Sequence, residues 1–235
     1  KSIGKLKTKL YVILDGCSKE YEDLFGKYFE RQDLEIIRVE GAGNNATFGL
    51  QVKILWDQNY SEYVYFAEDD YYYLPDTLEQ MIDFIRNYPK VHFVTPYDHR
   101  DYYTMDLHSN KFKIAFYGER HWRTASSTCL TFLTTREILL KTRDEFMSYC
   151  RGNLDVSLWM SLTKYEVLNP LRITRYLLKN PAFAYYIAVA WRYCAFQILF
   201  KKKWNLWAPV PSIATHMESK FLAPTIGKST LFEDI

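Results

Sequence analysis

Val64-Tyr65-Phe66-Ala67-Glu68-Asp69-Asp70, running on into Tyr71-Tyr72-Tyr73-Leu74-Pro75-Asp76, sets a short apolar run directly against three carboxylates. Four apolar residues in a row read as a buried strand. Pro75 and Asp76 open a helix whose apolar face is Leu78, Met81, Ile82 and Ile85, and Asp76 with Glu79 forms a capping-box pattern. The acidic triplet is therefore expected at the carboxyl end of a core strand, where open α/β sheets bind ligands. Three adjacent carboxylates repel one another, and a hard divalent cation would offset that repulsion. A solvated acidic loop is the other reading. The strand before and the capped helix after it favour the cation.

Upstream, Leu10 to Leu14 reads as a strand ended by Asp15-Gly16. Tyr21, Leu24, Phe25, Tyr28 and Phe29 then recur at helical spacing, with Ser18 as N-cap, and Leu34 to Val39 is the next strand. Strand, helix, strand is the sequence form of a right-handed parallel crossover. Asp15 thus falls at a second strand end, either as a turn residue or as an acceptor for a base or ribose. Gly41-Ala42-Gly43-Asn44-Asn45-Ala46-Thr47-Phe48 lacks the lysine and spacing of a phosphate-binding P-loop. Asn45 is placed to cap a helix carrying Phe48, Val52, Leu55 and Trp56. That helix start is a plain loop and cap, or one whose N–H groups face a diphosphate.

Downstream, Val91 to Val94 reads as a strand leading into a polar, aromatic loop from Thr95 to Tyr103, suited to shaping a cleft. His99 and His108 have no partner at ligand spacing and are not assigned to metal. His121-Trp122-Arg123-Thr124-Ala125-Ser126-Ser127-Thr128 reads as a polar segment leading into the apolar run Cys129 to Leu133. Leu139, Phe146 and Met147 mark a helix after it. In Arg151-Gly152-Asn153-Leu154-Asp155, Asn153 is placed to cap a helix with Val156, Trp159 and Leu162. Asp155 falls in its first turn, near the positive end of the dipole. There it is either a dipole-stabilising residue or a functional carboxylate.

The bulk numbers leave room for one full core: 235 residues, 48% hydrophobic and 25% charged. Aromatic content is high, at 17% with 20 Tyr, which suits sugar rings, bases or membrane interfaces. A net charge of +2 gives no sign of a nucleic-acid partner, and none is expected. Cys17, Cys129, Cys150 and Cys194 are scattered without a C-x-x-C pair, so neither zinc nor a redox pair is indicated, and reduced thiols in a cytoplasmic protein are expected. Lys1 to Lys9 is basic without an apolar core, so no signal peptide is expected there.

Together these segments, over roughly residues 10 to 165, resemble the GT-A glycosyltransferases, family-2-like and inverting. Glu68-Asp69-Asp70 is similar to the D-x-D signature in its E-D-D form, and Leu14-Asp15-Gly16-Cys17-Ser18 to the D-D-G-S strand end. Gly43-Asn44-Asn45-Ala46 resembles the glycine/asparagine loop, and Asn153-Leu154-Asp155 the segment that carries the catalytic base. Thr215-His216-Met217 is similar to the late histidine of some members. The family's usual first strand is not evident before Leu10.

The resemblance implies a Rossmann-like α/β fold with a mostly parallel central sheet, a nucleotide-sugar domain over 1–165 and a helical basic, aromatic extension over 166–235. It implies Mn²⁺ or Mg²⁺ held by Asp70 and His216. A UDP-, GDP- or dTDP-sugar donor would contact Asp15, Asn44, Asn45, Glu68, Asp69 and Arg123, with Arg120 a further candidate. Asp155 would be the base acting on a hydroxyl of a glycan or lipid-linked acceptor. The competing readings are a sugar-nucleotide nucleotidyltransferase, whose Gly-rich basic loop is not found, and a non-catalytic carbohydrate-binding or scaffold module.

No Asp or Glu occurs between Glu166 and Glu218, while Arg172, Arg175, Lys179, Arg192, Lys201, Lys202 and Lys203 fall in that span. Ala182 to Phe200 inside it is almost unbroken apolar and aromatic sequence, near the ~20 residues that cross a bilayer. Arg192 near its centre makes crossing costly. A helix lying at the cytoplasmic face of a membrane through 170–207 is expected, against the alternatives of a core helix or an oligomer contact.

Overall fold

The computed structural model of the chain describes residues 2–105, 108 and 112–224. The crossover near the start forms as the sequence implies. Strand β1 (Leu10–Asp15) pairs in parallel with β2 (Leu34–Val39), Leu10 opposite Leu34 and Asp15 opposite Val39, with helix α1 (Glu20–Gly26) between them. Arg38 of β2 is ion-paired to Glu22 of α1, and donates to the Cys17 carbonyl at 3.1 Å. Helix α1 is capped by Lys19 rather than Ser18, without a side-chain acceptor, and none of its residues is buried.

This parallel pair is a sheet of its own. The main sheet has six strands: β3 (Tyr63–Phe66), β5 (Phe93–Val94), β6 (Ile114–Tyr117), β7 (Arg120–Ala125), β8 (Phe132–Thr135) and β9 (Leu206–Val210). Their order is β3-β8-β5-β9-β7-β6. Only β5 and β9 run parallel; the other neighbours are antiparallel. The expected mostly parallel sheet is thus corrected to a mixed one. The cause is local. The turn at Gly118 (φ 61) folds β6 onto β7 as a hairpin, and β8 returns between β3 and β5, neither needing a crossover helix. The segment His121 to Thr128, read as a polar lead-in, is largely β7: Trp122 points into the core while His121 is exposed.

Both faces of the main sheet are covered. On one lie α2 (Gly43–Asp57), α5 (Arg136–Tyr149) and α6 (Asp155–Thr163), whose Phe48, Val52, Phe146 and Trp159 pack on Phe66, Phe93 and Phe132. The Phe66 and Phe132 rings stack at 4.6 Å. On the other face, α3 (Thr77–Asn87) sets Met81 and Phe84 against Trp122, Leu133 and Trp207, and Phe84 stacks on Trp122 at 4.1 Å. Each such side chain contributes about 1.5–3 kcal/mol by leaving water.

The expected caps are redistributed. Asp76 is left-handed (φ 57) and makes no side-chain cap, so no capping box forms with Glu79. Instead Leu78 N–H donates to the Ser2 carbonyl at 3.1 Å, and Thr77 Oγ1 donates to Leu74 and Ile213 carbonyls at 2.7 and 2.9 Å. Gly4 (φ +64) lies so close to the Glu79 carboxylate that an added Cβ would collide with it. Helix α2 starts at Gly43, which moves Asn45 from the cap into the first turn.

Beyond residue 165 the chain is not a helical extension alone. Helix α8 (Pro181–Phe200) packs on α6 and α7 (Pro170–Lys179) packs on α8, and the chain then re-enters the main sheet as β9, between β5 and β7. A final strand, β10 (Ala214–His216), pairs antiparallel with β4 (Tyr71–Tyr73), which directly follows the acidic triplet.

Candidate functional site

The triplet after β3 divides its three carboxylates among three environments. Glu68 turns inward: its N–H donates to Thr131 Oγ1 at 3.1 Å, and that hydroxyl donates to Glu68 Oε2 at 2.9 Å. Burial pushes the Glu68 carboxyl up to about 7; the bond from Thr131 opposes the shift, and the charges of Asp70 and Asp155 add to it. Asp69 is exposed. Asp70 faces His216, Oδ2 to Nε2 at 3.0 Å.

Strand pairing makes that contact. In the β4–β10 ladder His216 stands opposite Tyr71, and Met217 N–H donates to the Asp70 carbonyl at 2.8 Å. His216 Nδ1 accepts the Glu218 N–H at 3.1 Å, which points Nε2 at the carboxylate. The Tyr71 and Phe221 rings flank the imidazole at 5.3 and 5.4 Å. The second oxygen, Asp70 Oδ1, is buried with no hydrogen-bond partner among the described residues.

Asp155 is the first residue of α6, and its Oδ1 accepts the Val156 N–H at 2.6 Å. Burial pushes its carboxyl up against that bond and the charge of His99. Asn153 does not cap this helix. It is buried, donates from Nδ2 to Ser148 Oγ at 2.7 Å and accepts the Leu154 N–H at 2.8 Å, bracing the turn that aims Asp155.

Asp155 lines a cavity of about 190 Å³ with His99 from the loop after β5, Asp101 and Tyr102 of the short helix α4 (Asp101–Thr104), His108, Ser127, Thr128 and Cys129 ahead of β8, and Tyr186 of α8. The segment from Thr95 to Tyr103, read as a loop, thus supplies one cavity wall, but its end is helical rather than loop. Burial pushes the Cys129 thiol up to about 12, and the charges of Glu68, Asp155 and Asp70 act in the same direction. The acidic triplet and Asp155 therefore share one electrostatic neighbourhood. Burial pushes the His99 imidazole down, against the charge of Asp101, and its Nδ1 accepts the Asp101 N–H at 3.0 Å.

The other expected contacts lie elsewhere. Asp15 accepts from the Ala42 and Gly43 N–H groups at 3.1 and 2.7 Å, and those bonds hold its carboxyl below the usual range. Asp15 thereby serves the start of α2, where Asn44 and Asn45 are exposed. None of these three lines the cavity. Arg123 is buried: its guanidinium pairs with Asp98 at 3.2 Å and lies over the Tyr102 and Tyr103 rings at 4.4 and 4.6 Å. It braces the loop wall, and its charge is already matched. Arg120 is likewise engaged, donating to Gln80 at 2.9 Å and the Pro211 carbonyl at 3.0 Å.

Among the described residues no group of three or more His, Cys, Asp or Glu side chains is placed to hold a metal ion. Asp70 and His216 are a pair, with one orphaned buried oxygen. Two protein ligands suit a cation such as Mg²⁺ or Mn²⁺ that takes its remaining ligands from phosphate and water.

Thr131, Cys129 and Tyr186 carry no sequence signal of a site. Cys129 and Thr131 belong to an apolar run, and Tyr186 to an apolar helix; only the packing of α8 on α6 brings Tyr186 to the cavity, with Ser157 Oγ of α6 donating to its carbonyl at 2.9 Å. Compared with known proteins, the chain matches no family model and no curated protein.

Proposed function

We propose that the chain is a metal-dependent inverting glycosyltransferase, moving a sugar from a nucleotide-sugar donor to a hydroxyl of a glycan or lipid-linked acceptor. The observation that carries this reading is that three separate parts of the chain converge: the charges of Glu68, Asp70 and Asp155 all act on Cys129, His216 pairs with Asp70, and Asp155 and Cys129 line the cavity. The GT-A resemblance of the same residues supports it. Asp70 and His216 would hold Mn²⁺ or Mg²⁺ beside the donor diphosphate. When bound, that ion neutralises charge on the departing nucleotide.

Asp155 faces the cavity as base. The acceptor hydroxyl loses its proton to Asp155 Oδ2 while its oxygen bonds to the anomeric carbon. The bond from that carbon to the nucleotide phosphate breaks with its electron pair, and the configuration inverts. A carboxyl raised by burial is a stronger base than a solvated one, which suits this step. Thr131 and His99 fix the positions of Glu68 and the cavity wall through their hydrogen bonds. The ring of Tyr186, which lines the cavity, suits a sugar.

The test is release of free nucleotide from a panel of UDP-, GDP- and dTDP-sugars, with and without Mn²⁺, in the presence of simple glycoside acceptors. One donor is expected to be turned over, and only with the ion. Binding of a sugar without any release would instead identify a carbohydrate-binding module.

A further inference from the structure

The surface that α7 and α8 turn to water is apolar. No residue of α7 is fully buried, yet the helix sorts its side chains sharply. Ile173 and Tyr176 pack toward the cluster under α8. Leu171 and Leu178, seven residues apart and so on one face, are 82% and 85% exposed. In α8, Phe183, Ile187 and Ile198 face inward, while Tyr185, Phe196 and Leu199 are exposed along the opposite side. A helix apolar on all sides belongs inside a core or against lipid, and α8 has core on one side only. It is long enough to cross a bilayer. Its inner face is committed to Met160 and Val167, however, and Arg192 interrupts the outer stripe, so it cannot leave the protein to do so.

We propose that α7 and the outer side of α8 lie flat on an anionic lipid bilayer. Charge selects this occupant. Arg175, Lys179, Arg192 and Lys203 flank the apolar surface with no carboxylate partner among the described residues, and the segment from 167 to 217 contains no acidic residue. A second copy docked by two-fold symmetry would set these cations against their own counterparts, whereas anionic headgroups neutralise them. Lys201 takes no part, since it pairs with the buried Glu145 at 2.6 Å. This attachment needs no assumption about catalysis.

Flotation of the whole chain with phosphatidylcholine vesicles, with and without phosphatidylserine, tests it. Binding is expected only with phosphatidylserine and is expected to weaken as salt rises. The pair Leu171→Asp with Leu178→Asp, and separately Arg175→Glu with Lys179→Glu, should each lower partitioning by about tenfold or more at exposed positions that leave the fold intact. Amide exchange across 170–200 in the unaltered chain should slow on the same vesicles, which reads the contact without a variant. Failure to float with phosphatidylserine at low salt overturns the proposal. So does equal flotation of the folded variants, or a concentration-dependent dimer that both pairs abolish in the absence of any lipid binding.

Discussion

Asp15 ends β1 and Asp155 begins α6, yet both accept backbone N–H groups at the start of a helix, and the fold treats them in opposite ways. Asp15 is solvated and accepts two backbone N–H bonds, so its charged form is favoured and its carboxyl titrates low. Asp155 also accepts a backbone N–H, but burial outweighs that bond and its carboxyl titrates high. The difference is water, not residue type or local sequence. A carboxylate that stabilises its surroundings and one that is held ready for a proton can share the same local pattern.

The largest effect is expected at Asp70, whose charge acts on the same Cys129 thiol as that of Asp155. Asp70→Ala should lower turnover by about 10³-fold or more while the fold survives, since an ion of this kind supplies several kcal/mol. Titration of the nucleoside diphosphate with and without Mn²⁺ should show the ion's contribution lost, and His216→Ala should weaken it in the same direction. Equal affinity in variant and parent would remove Asp70 and His216 from metal binding.

Asp155→Asn comes next and breaks the comparison most directly. Turnover should fall by about 10²-fold or more with donor affinity little changed. Stability should move the other way. A carboxyl raised in the folded state contributes stability that is complete below its unfolded pKa and lost as pH rises through its folded pKa. The amide carries no such loss, so the variant should melt higher than the parent at neutral pH. A lower melting temperature with near-normal turnover would make Asp155 a helix-dipole residue.

The smallest effect is expected at Asp15. Its carboxyl is lowered in the folded state, so its contribution is present above the unfolded pKa and disappears as pH falls through the folded one. Asp15→Ala should melt modestly lower at neutral pH, and the gap to the parent should close in acid. Turnover that falls as far as in Asp155→Asn would give Asp15 a direct part in donor binding.

Local pattern made some of this legible and left the rest hidden. The β1–α1–β2 crossover was readable because each element is a continuous run with its own periodicity. The hairpin β6–β7 was not. His121-Trp122-Arg123 alternates outward and inward within a polar segment, and only the partner strands β6 and β9 make it a strand. Caps misled for a related reason. Ser18, Asn45, Asp76 and Asn153 all suit a helix start by type, yet only Asp76 occupies the cap position, and it makes no side-chain cap bond. For α2 the acceptor is Asp15, far away in sequence, and for α3 it is the Ser2 carbonyl. Arg123 looked free for phosphate, and Asp98 was the unseen neighbour that claims it.

By itself the sequence determined where carboxylates must leave a strand or enter a helix, because the apolar run ending at Phe66 cannot continue through Glu68-Asp69-Asp70 as core. It determined too that residues 167–217 would carry only positive charge. Tertiary structure decided which of those carboxylates meet. Pairing of β10 with β4 sets His216 against Asp70 across the length of the chain, and insertion of β9 into the main sheet fixes where α8 must lie and so brings Tyr186 to Asp155. It also decided which acids stay charged. Desolvation is a property of everything packed around a group, and no stretch of neighbouring residues contains it.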